Sequence, residues 1–497
     1  VKDDFVEVLM DTSSPQDYLT FLRVKVLPRV RFQGRLALVP REYAATLGLS
    51  AVPDRGDYQP APWLFDYQRD IARLAIRKQR FAVFADCGLG KTLILLEFAR
   101  HCAAVLPRGR AVLIVCPLMV CRQTVAEARR FYGDTLPVQQ VLSRDLNAWL
   151  ASPVAGAIGI TNYEAITDEL EPGRLGALVL DESSMLKSHY GKWGQRLISL
   201  GAGLDWKLCL TGTPAPNDRI EYANHAVFLG REPTVNSFLA RYFVNRGPTG
   251  NRWELKPHAL GPFYRSLSDW CIFLNDPATY GWKDNPATST PPIHVHVHDV
   301  DLTEEQRDLS ITAGGDMFGT PGGITSRAVL SQLAKGKYRG KAVETSKPAF
   351  IRDLVRSWPE ESTIIWTVYN DEQDTIERAL PEAAGIRGDT PQDERERIVA
   401  NFQAGKIKVL VTKAKVLGYG LNLQIATRQV FSGLVDSYES YYQAVKRSNR
   451  VGSTRPLNVH IPVTSVERPM IETVLKKAAR VQHDTEEQER IFRGARI

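Results

Sequence analysis

This chain lacks the features that would point to a membrane or to extracellular chemistry. No apolar run approaches the ~18 residues needed to span a bilayer, and no signal-peptide pattern stands at its start. Cysteine is scarce, with six residues at positions 87, 102, 116, 121, 209 and 271 and no Cys-x-x-Cys pair among them. The thiols therefore read as reduced and structural, as in a cytoplasmic protein. Charge of one sign is scarce too. Lys and Arg number 63 against 56 Asp and Glu, and the resulting +7 favours an anionic partner without identifying one. No nuclease, methyltransferase or protease constellation is present. What is left, 497 residues of which 43% are hydrophobic and 24% charged, is an ordinary soluble composition, long enough for two or three domains.

The most informative stretch is Phe81-Ala-Val-Phe-Ala-Asp-Cys-Gly-Leu-Gly-Lys-Thr92. Phe81 to Ala85 predicts a buried strand, and Leu93 to His101 predicts a helix. Strand, glycine turn, Lys-Thr and helix compose a phosphate-binding loop. Glycines let backbone N–H groups close around phosphates, and a helix N-terminus favours their charge. Lys91 would then reach the outer phosphates, and the Thr92 hydroxyl would sit on Mg²⁺.

Farther along, an apolar run from Leu175 to Leu180 ends in Asp181-Glu-Ser-Ser184. A carboxylate pair ending a buried strand suits the same chemistry. Asp181 would hold Mg²⁺ through water, and Glu182 would orient and deprotonate the attacking water. Ala111 to Pro117 and Ile158 to Glu164 read as further strands. Leu208 to Pro214 runs into Thr211, Gly212 and Thr213, which can hydrogen-bond the carboxylate pair.

Residues 1–60 read as an N-terminal extension. Arg23, Lys25, Arg29, Arg31 and Arg35 are interleaved with apolar residues, which predicts a two-stranded ribbon whose basic face is either solvated or touches DNA. Residues 61–243 form a first α/β domain, and 346–497 form a second. Residues 244–345, with their Gly and Pro clusters, read as an inter-lobe segment. Within it His294, His296 and His298 share one strand face, either plain or metal-binding. Lys335, Lys337, Arg339 and Lys341 read as a solvated loop or as phosphate contacts. In the second domain a helix from Glu439 to Arg450 carries Gln443, Arg447 and Arg450, with both arginines on nearly one face. Two guanidiniums aimed across a cleft suit a γ-phosphate transition state.

In order and form these motifs resemble SWI/SNF-like helicases and translocases of superfamily 2, over residues 63 to 475, and especially the short phage- or prophage-type members. The resemblance implies two tandem RecA-like lobes, α/β with parallel sheets flanked by helices, plus a small β-rich N-terminal extension and an inter-lobe insertion. It implies ATP and Mg²⁺ as cofactors. It also implies duplex DNA as partner, gripped at phosphates without sequence preference, with a protein such as a nuclease as a possible second partner. Gln68 would read the adenine edge, since its amide donates and accepts at once. Asp86, Gly88, Leu89, Gly90, Lys91, Thr92 and Gln443 would bind the nucleotide. Lys91, Asp181, Glu182, Arg447 and Arg450 would be catalytic, with Thr92 and Asp181 at the metal. Thr211, Gly212, Thr213, Gly418, Gly420 and Asn422 would couple the pocket to DNA. The Thr-Gly-Thr-Pro form points to DNA translocases rather than RNA helicases. Two departures stand out: Ala85 replaces the first glycine of the general loop pattern, and Ala414-Lys-Val-Leu-Gly-Tyr-Gly420 replaces a tighter glycine turn. Nucleosome remodelling is not implied. The rival classes are an RNA helicase and an ATP-gated binding subunit of a larger nuclease, defence or phage replication complex.

Overall fold

The computed structural model describes residues 5–10, 14–40, 43–44, 47–49, 58–187, 191–246, 253–284, 290–314, 324–414, 416–417, 423–434, 438–450 and 453–494. The chain divides into two units, Val1–Asn285 with His483–Ile497, and Pro286–Gln482.

Unit 1 opens with a small module of β1 (Phe5–Leu9), α1 (Pro15–Lys25), β2 (Arg31–Gln33) and β3 (Leu36–Pro40), its antiparallel strands ordered β1-β3-β2. Ser14 starts α1 by accepting a bond from the Asp17 N–H, and Pro15 sits in the first turn. Arg23 and Lys25, expected on a ribbon, are therefore helical, and only β2 and β3 form a hairpin. The alternation misleads because Val24 alone turns inward, whereas Val26 is exposed.

The larger part of unit 1 runs α2 (Asp66–Lys78), β4 (Arg80–Ala85), α3 (Lys91–Val105), β5 (Ala111–Cys116), α4 (Leu118–Tyr132), β6 (Val138–Gln140), α5 (Leu146–Ala151) and β7 (Ile158–Asn162). It continues through β8 (Leu175–Asp181), α6 (Lys192–Leu200), β9 (Trp206–Thr211), α7 (Tyr222–Phe228), α8 (Val235–Tyr242), β10 (Phe243–Asn245), β11 (Trp253–Leu255), α9 (Leu260–Ser268) and β12 (Cys271–Leu274). Seven strands form one parallel sheet, ordered β12-β4-β9-β8-β5-β7-β6. Its central strands are apolar without alternation, and β5 is buried at every position, as in a sheet covered on both faces.

Unit 2 runs β13 (Ile293–Asp299), α10 (Glu304–Gly314), α11 (Ile324–Ala334), β14 (Lys337–Tyr338), β15 (Lys341–Ala342), α12 (Lys347–Arg356), β16 (Thr363–Thr367) and α13 (Asn370–Ala379). Then come β17 (Ala384–Ile386), α14 (Gln392–Gln403), β18 (Val409–Lys413), β19 (Arg428–Phe431), α15 (Tyr438–Ser448), β20 (Leu457–Val463) and α16 (Arg468–Gly494). Six parallel strands lie in the order β13-β20-β19-β16-β18-β17. Both units are thus parallel α/β lobes of the RecA-like kind. The last turns of α16 belong to unit 1, where Asp484 pairs with Arg219 and Glu489 accepts the Asn275 N–H.

Residues 244–345 feed both sheets: β12 lies beside β4 in unit 1, and β13 lies beside β20 in unit 2. The basic run at 335–341 is not a solvated loop throughout. Lys335 is fully buried, with its ammonium 2.7 Å from Glu467, and Lys337 pairs with Asp371. Lys347 also donates to Glu467 and to the Ser432 carbonyl. Burial alone would raise the Glu467 carboxyl, but Lys335 and Lys347 bring it down to about 2. β13 is an edge strand in which His296 and His298 stack on His460 of β20. Among the described residues no cluster of His, Cys, Asp and Glu is arranged to hold a metal, and no helix is long and apolar enough to cross a membrane. All six cysteines are free, and all but Cys87 are buried.

Candidate nucleotide site

In unit 1 the neighbouring strands β4, β9 and β8 end together at the carboxyl edge of a parallel sheet, where open α/β folds bind ligands. The turn leaving β4 has Gly88 at φ +89° and Gly90 at φ +68°, the latter capping α3. Gly90 has two reasons to be glycine. Its backbone is left-handed, and a Cβ there would lie 2.2 Å from Gln68 Nε2. The loop is thereby pressed against α2. Tyr67 donates to the Leu89 carbonyl at 3.0 Å and Gln68 Nε2 at 3.3 Å, while Gln68 Oε1 accepts the Phe65 N–H at 3.1 Å. Gln68 is 2% exposed, so its amide faces the loop backbone. Lys91 Nζ reaches back to the carbonyls of Ala85 at 2.8 Å and Asp86 at 3.2 Å, and the Asp86 carboxylate accepts the Cys87 N–H.

Asp181 ends β8. Burial, reinforced by the adjacent Glu182 charge and opposed by Lys91, pushes its carboxyl up to about 7. Tyr163, at the end of β7, donates to the Asp181 carbonyl at 2.8 Å. Glu182 then takes φ +55°, a left-handed backbone costly for a side-chain-bearing residue and typical of functional sites. Its carboxylate accepts the Thr211 hydroxyl at 2.7 Å and the Ser184 hydroxyl at 3.3 Å. Thr211 Oγ1 also accepts the Thr213 N–H at 3.1 Å, and the Thr213 hydroxyl is buried without a partner.

Unit 1 thus gathers Gln68, the 86–92 loop, Asp181, Glu182 and the Thr211–Thr213 turn at one edge. A hard divalent cation fits the oxygen donor here: a buried carboxylate pushed up by burial and by Glu182, which Lys91 only partly offsets. Tyr67 and Tyr163 escape sequence reading because nothing in their local pattern gives them a role; tertiary packing brings them there.

In unit 2, α15 carries Gln443 and Arg447 but ends at Ser448, so Arg450 lies beyond the helix rather than on its face. Ser453 closes that end, accepting the Arg450 N–H at 3.2 Å and donating to the Ser448 carbonyl at 2.7 Å. The Gln443 amide nitrogen is buried without a partner. Gly418, Gly420 and Asn422 lie outside the described residues.

Comparison with known families gives two matches, in the order of the two units. A model described as the SNF2-related domain matches residues 67–243, and one described as the helicase conserved C-terminal domain matches residues 346–452; together they cover more than half the chain. A Bacillus subtilis protein named "Putative ATP-dependent helicase/translocase YwqA" is 24% identical over 76% of this chain and 43% of its own length. Protein p41 of Acyrthosiphon pisum secondary endosymbiont phage 1 is 23% identical over 79% of this chain and 91% of its own. The DNA annealing helicase and endonuclease ZRANB3 of Bos taurus is 21% identical over 80% of this chain and 38% of its own. The chain therefore spans about two fifths of the longer relatives and most of the phage protein.

Proposed function

We propose, from the premise that this chain belongs to the SWI/SNF-like helicases and translocases of superfamily 2, that it hydrolyses ATP to move along or remodel DNA. Gln68, Asp86, the 88–92 loop and Gln443 bind ATP. Thr92 and Asp181 hold Mg²⁺, which neutralises phosphate charge when bound. Glu182 orients the attacking water and takes its proton, while Arg447 and Arg450 act on the γ-phosphate at the transition state. Thr211, Gly212 and Thr213, with Gly418, Gly420 and Asn422, couple the pocket to DNA. DNA is touched mainly at phosphates, so binding is sequence-independent and weakens steeply with salt. The motor works in a bacterial or phage-infected cytoplasm, alone or with a protein partner such as a nuclease.

One observation carries this reading. A carboxylate on a left-handed backbone is fixed by two hydroxyls beside a buried Asp181, whose carboxyl is pushed up by burial, and the loop lysine. A structural acidic pair has no need of that arrangement. The relative ZRANB3 is named for action on DNA, which supports DNA over RNA. The test is ATPase stimulation by duplex DNA, single strands and RNA, alongside triplex displacement for tracking. Duplex-stimulated turnover that Lys91→Ala abolishes is expected. Turnover retained in Lys91→Ala overturns the loop assignment, and stimulation by RNA alone overturns the DNA assignment.

A further inference from the structure

His225 is a fully buried histidine on α7 that no sequence motif marks. Its Nε2 lies 3.1 Å from the Ser183 hydroxyl, and its Nδ1 lies 3.4 Å from the Glu221 carbonyl one turn back. One ring nitrogen thus faces the Glu221 carbonyl and the other faces Ser183, whose backbone also bonds the ring, so the imidazole ties α7 to the residue after Glu182 whichever nitrogen carries the proton. Burial pushes the imidazole down to about 4, so the ring is neutral. It stands edge-on to Phe84, centroids 5.3 Å apart, on the strand that leads into the phosphate loop.

Ser183 directly follows Glu182. A left-handed backbone relaxes unless it is held from both sides. Upstream, Tyr163 holds the Asp181 carbonyl, and the Asp181 carboxylate accepts the Glu182 N–H at 3.1 Å. Downstream, Ser183 is held by buried side chains, bonding His225 at 3.1 Å and also Cys209 of β9.

We propose that His225 is a positioning residue for hydrolysis, its hydrogen bond to Ser183 pinning the backbone that aims Glu182 at water. The inference rests on the reading of Glu182 as the water-orienting group. The phosphate grip of the 88–92 loop does not pass through His225. Losing the bond should therefore slow turnover without weakening nucleotide binding.

The experiment compares steady-state ATPase of the full chain in wild type, His225→Phe, His225→Gln, Ser183→Ala and the His225→Phe/Ser183→Ala double variant. Phe keeps the packing against Phe84 and removes the hydrogen-bonding nitrogen, whereas Gln keeps both a donor and an acceptor within reach. The expected result is a fall in kcat of roughly five- to tenfold in His225→Phe and in Ser183→Ala, with the KM for ATP within about twofold. The double variant should be no slower than either single one, and His225→Gln should approach wild type. An unchanged kcat, a matching rise in KM, or losses that multiply in the double variant would each overturn the inference. If His225→Phe does not fold, Ser183→Ala, which loses one hydroxyl, tests the same bond from its other end. Wild-type turnover that is lost in Lys91→Ala but kept in His225→Phe sinks this inference alone. Wild-type protein without turnover sinks the ATPase reading itself.

Discussion

Thr211 donates a 2.7 Å hydrogen bond to the Glu182 carboxylate from the end of the strand next door, binding the turn after β9 to the acidic end of β8. The same hydroxyl accepts the Thr213 N–H, so one side chain fixes both the carboxylate and the shape of its own turn. Glu182 and the Thr213 N–H thus share one hydroxyl.

Thr211→Val keeps the volume and removes both bonds. A hydrogen bond to a charged group is worth about 1.5–3 kcal/mol, so kcat should fall about ten- to a hundredfold if the bond acts in the transition state. The KM for ATP should hold. Steady-state kinetics with saturating DNA decide the matter, and a variant that loses affinity while keeping kcat would assign Thr211 to binding instead.

Gly90→Ala should cripple nucleotide binding for two separable reasons. Its φ of +68° costs about 1–2 kcal/mol with a side chain, and the new methyl would collide with Gln68 Nε2. Gln68→Ala relieves the collision but not the backbone term. The double variant should therefore bind a fluorescent ATP analogue better than Gly90→Ala and worse than Gln68→Ala. No recovery in the double variant would mean that the amide contact is not what crowds the loop.

The parts of the fold that sequence reading reaches are those written in contiguous residues. Phe81–Thr92 gives strand, turn and helix as found, because an apolar run, two positive-φ glycines and a helical segment adjoin in the chain. Partners set by tertiary packing stay hidden. Lys335 looks solvated until Glu467, 132 residues away, is brought against it, and His225 looks like filler until Ser183 is. Arg23–Val26 alternates like a strand, yet the Ser14 cap and Pro15 commit it to a helix. The end of α15 is misjudged by the same logic, since the serine that closes it stands outside the pattern being read.

Arg450 leaves the helix that carries Arg447, and its backbone is fixed by Ser453. If it acts on the transition state, Arg450→Ala should lower kcat by about 10³ or more while ATP affinity stays near wild type. Equilibrium binding and single-turnover hydrolysis separate the two. Equal losses in both would make Arg450 a binding residue.

Unit 2 should be acid-sensitive through His460. The ring is 7% exposed, bonded to His298 at 2.9 Å, and packed between His296 and Trp358 at centroid distances of 4.7 and 4.6 Å. Burial first, then His296, His298 and Arg428, push its pKa down to about 3. The folded state therefore binds fewer protons than the unfolded one between about pH 6.5 and 3, so stability is whole above that window and drains as pH falls through it. At pH 5 the loss is about 1–2 kcal/mol, and His298, also lowered by burial, adds in the same direction. His460→Phe keeps a ring on Trp358 and cannot titrate. Melting curves at pH 7.5 and 5.0 should show a smaller acid shift in the variant than in wild type. Equal shifts would place the acid sensitivity on other groups and mean that His460 takes up its proton without disturbing the stack.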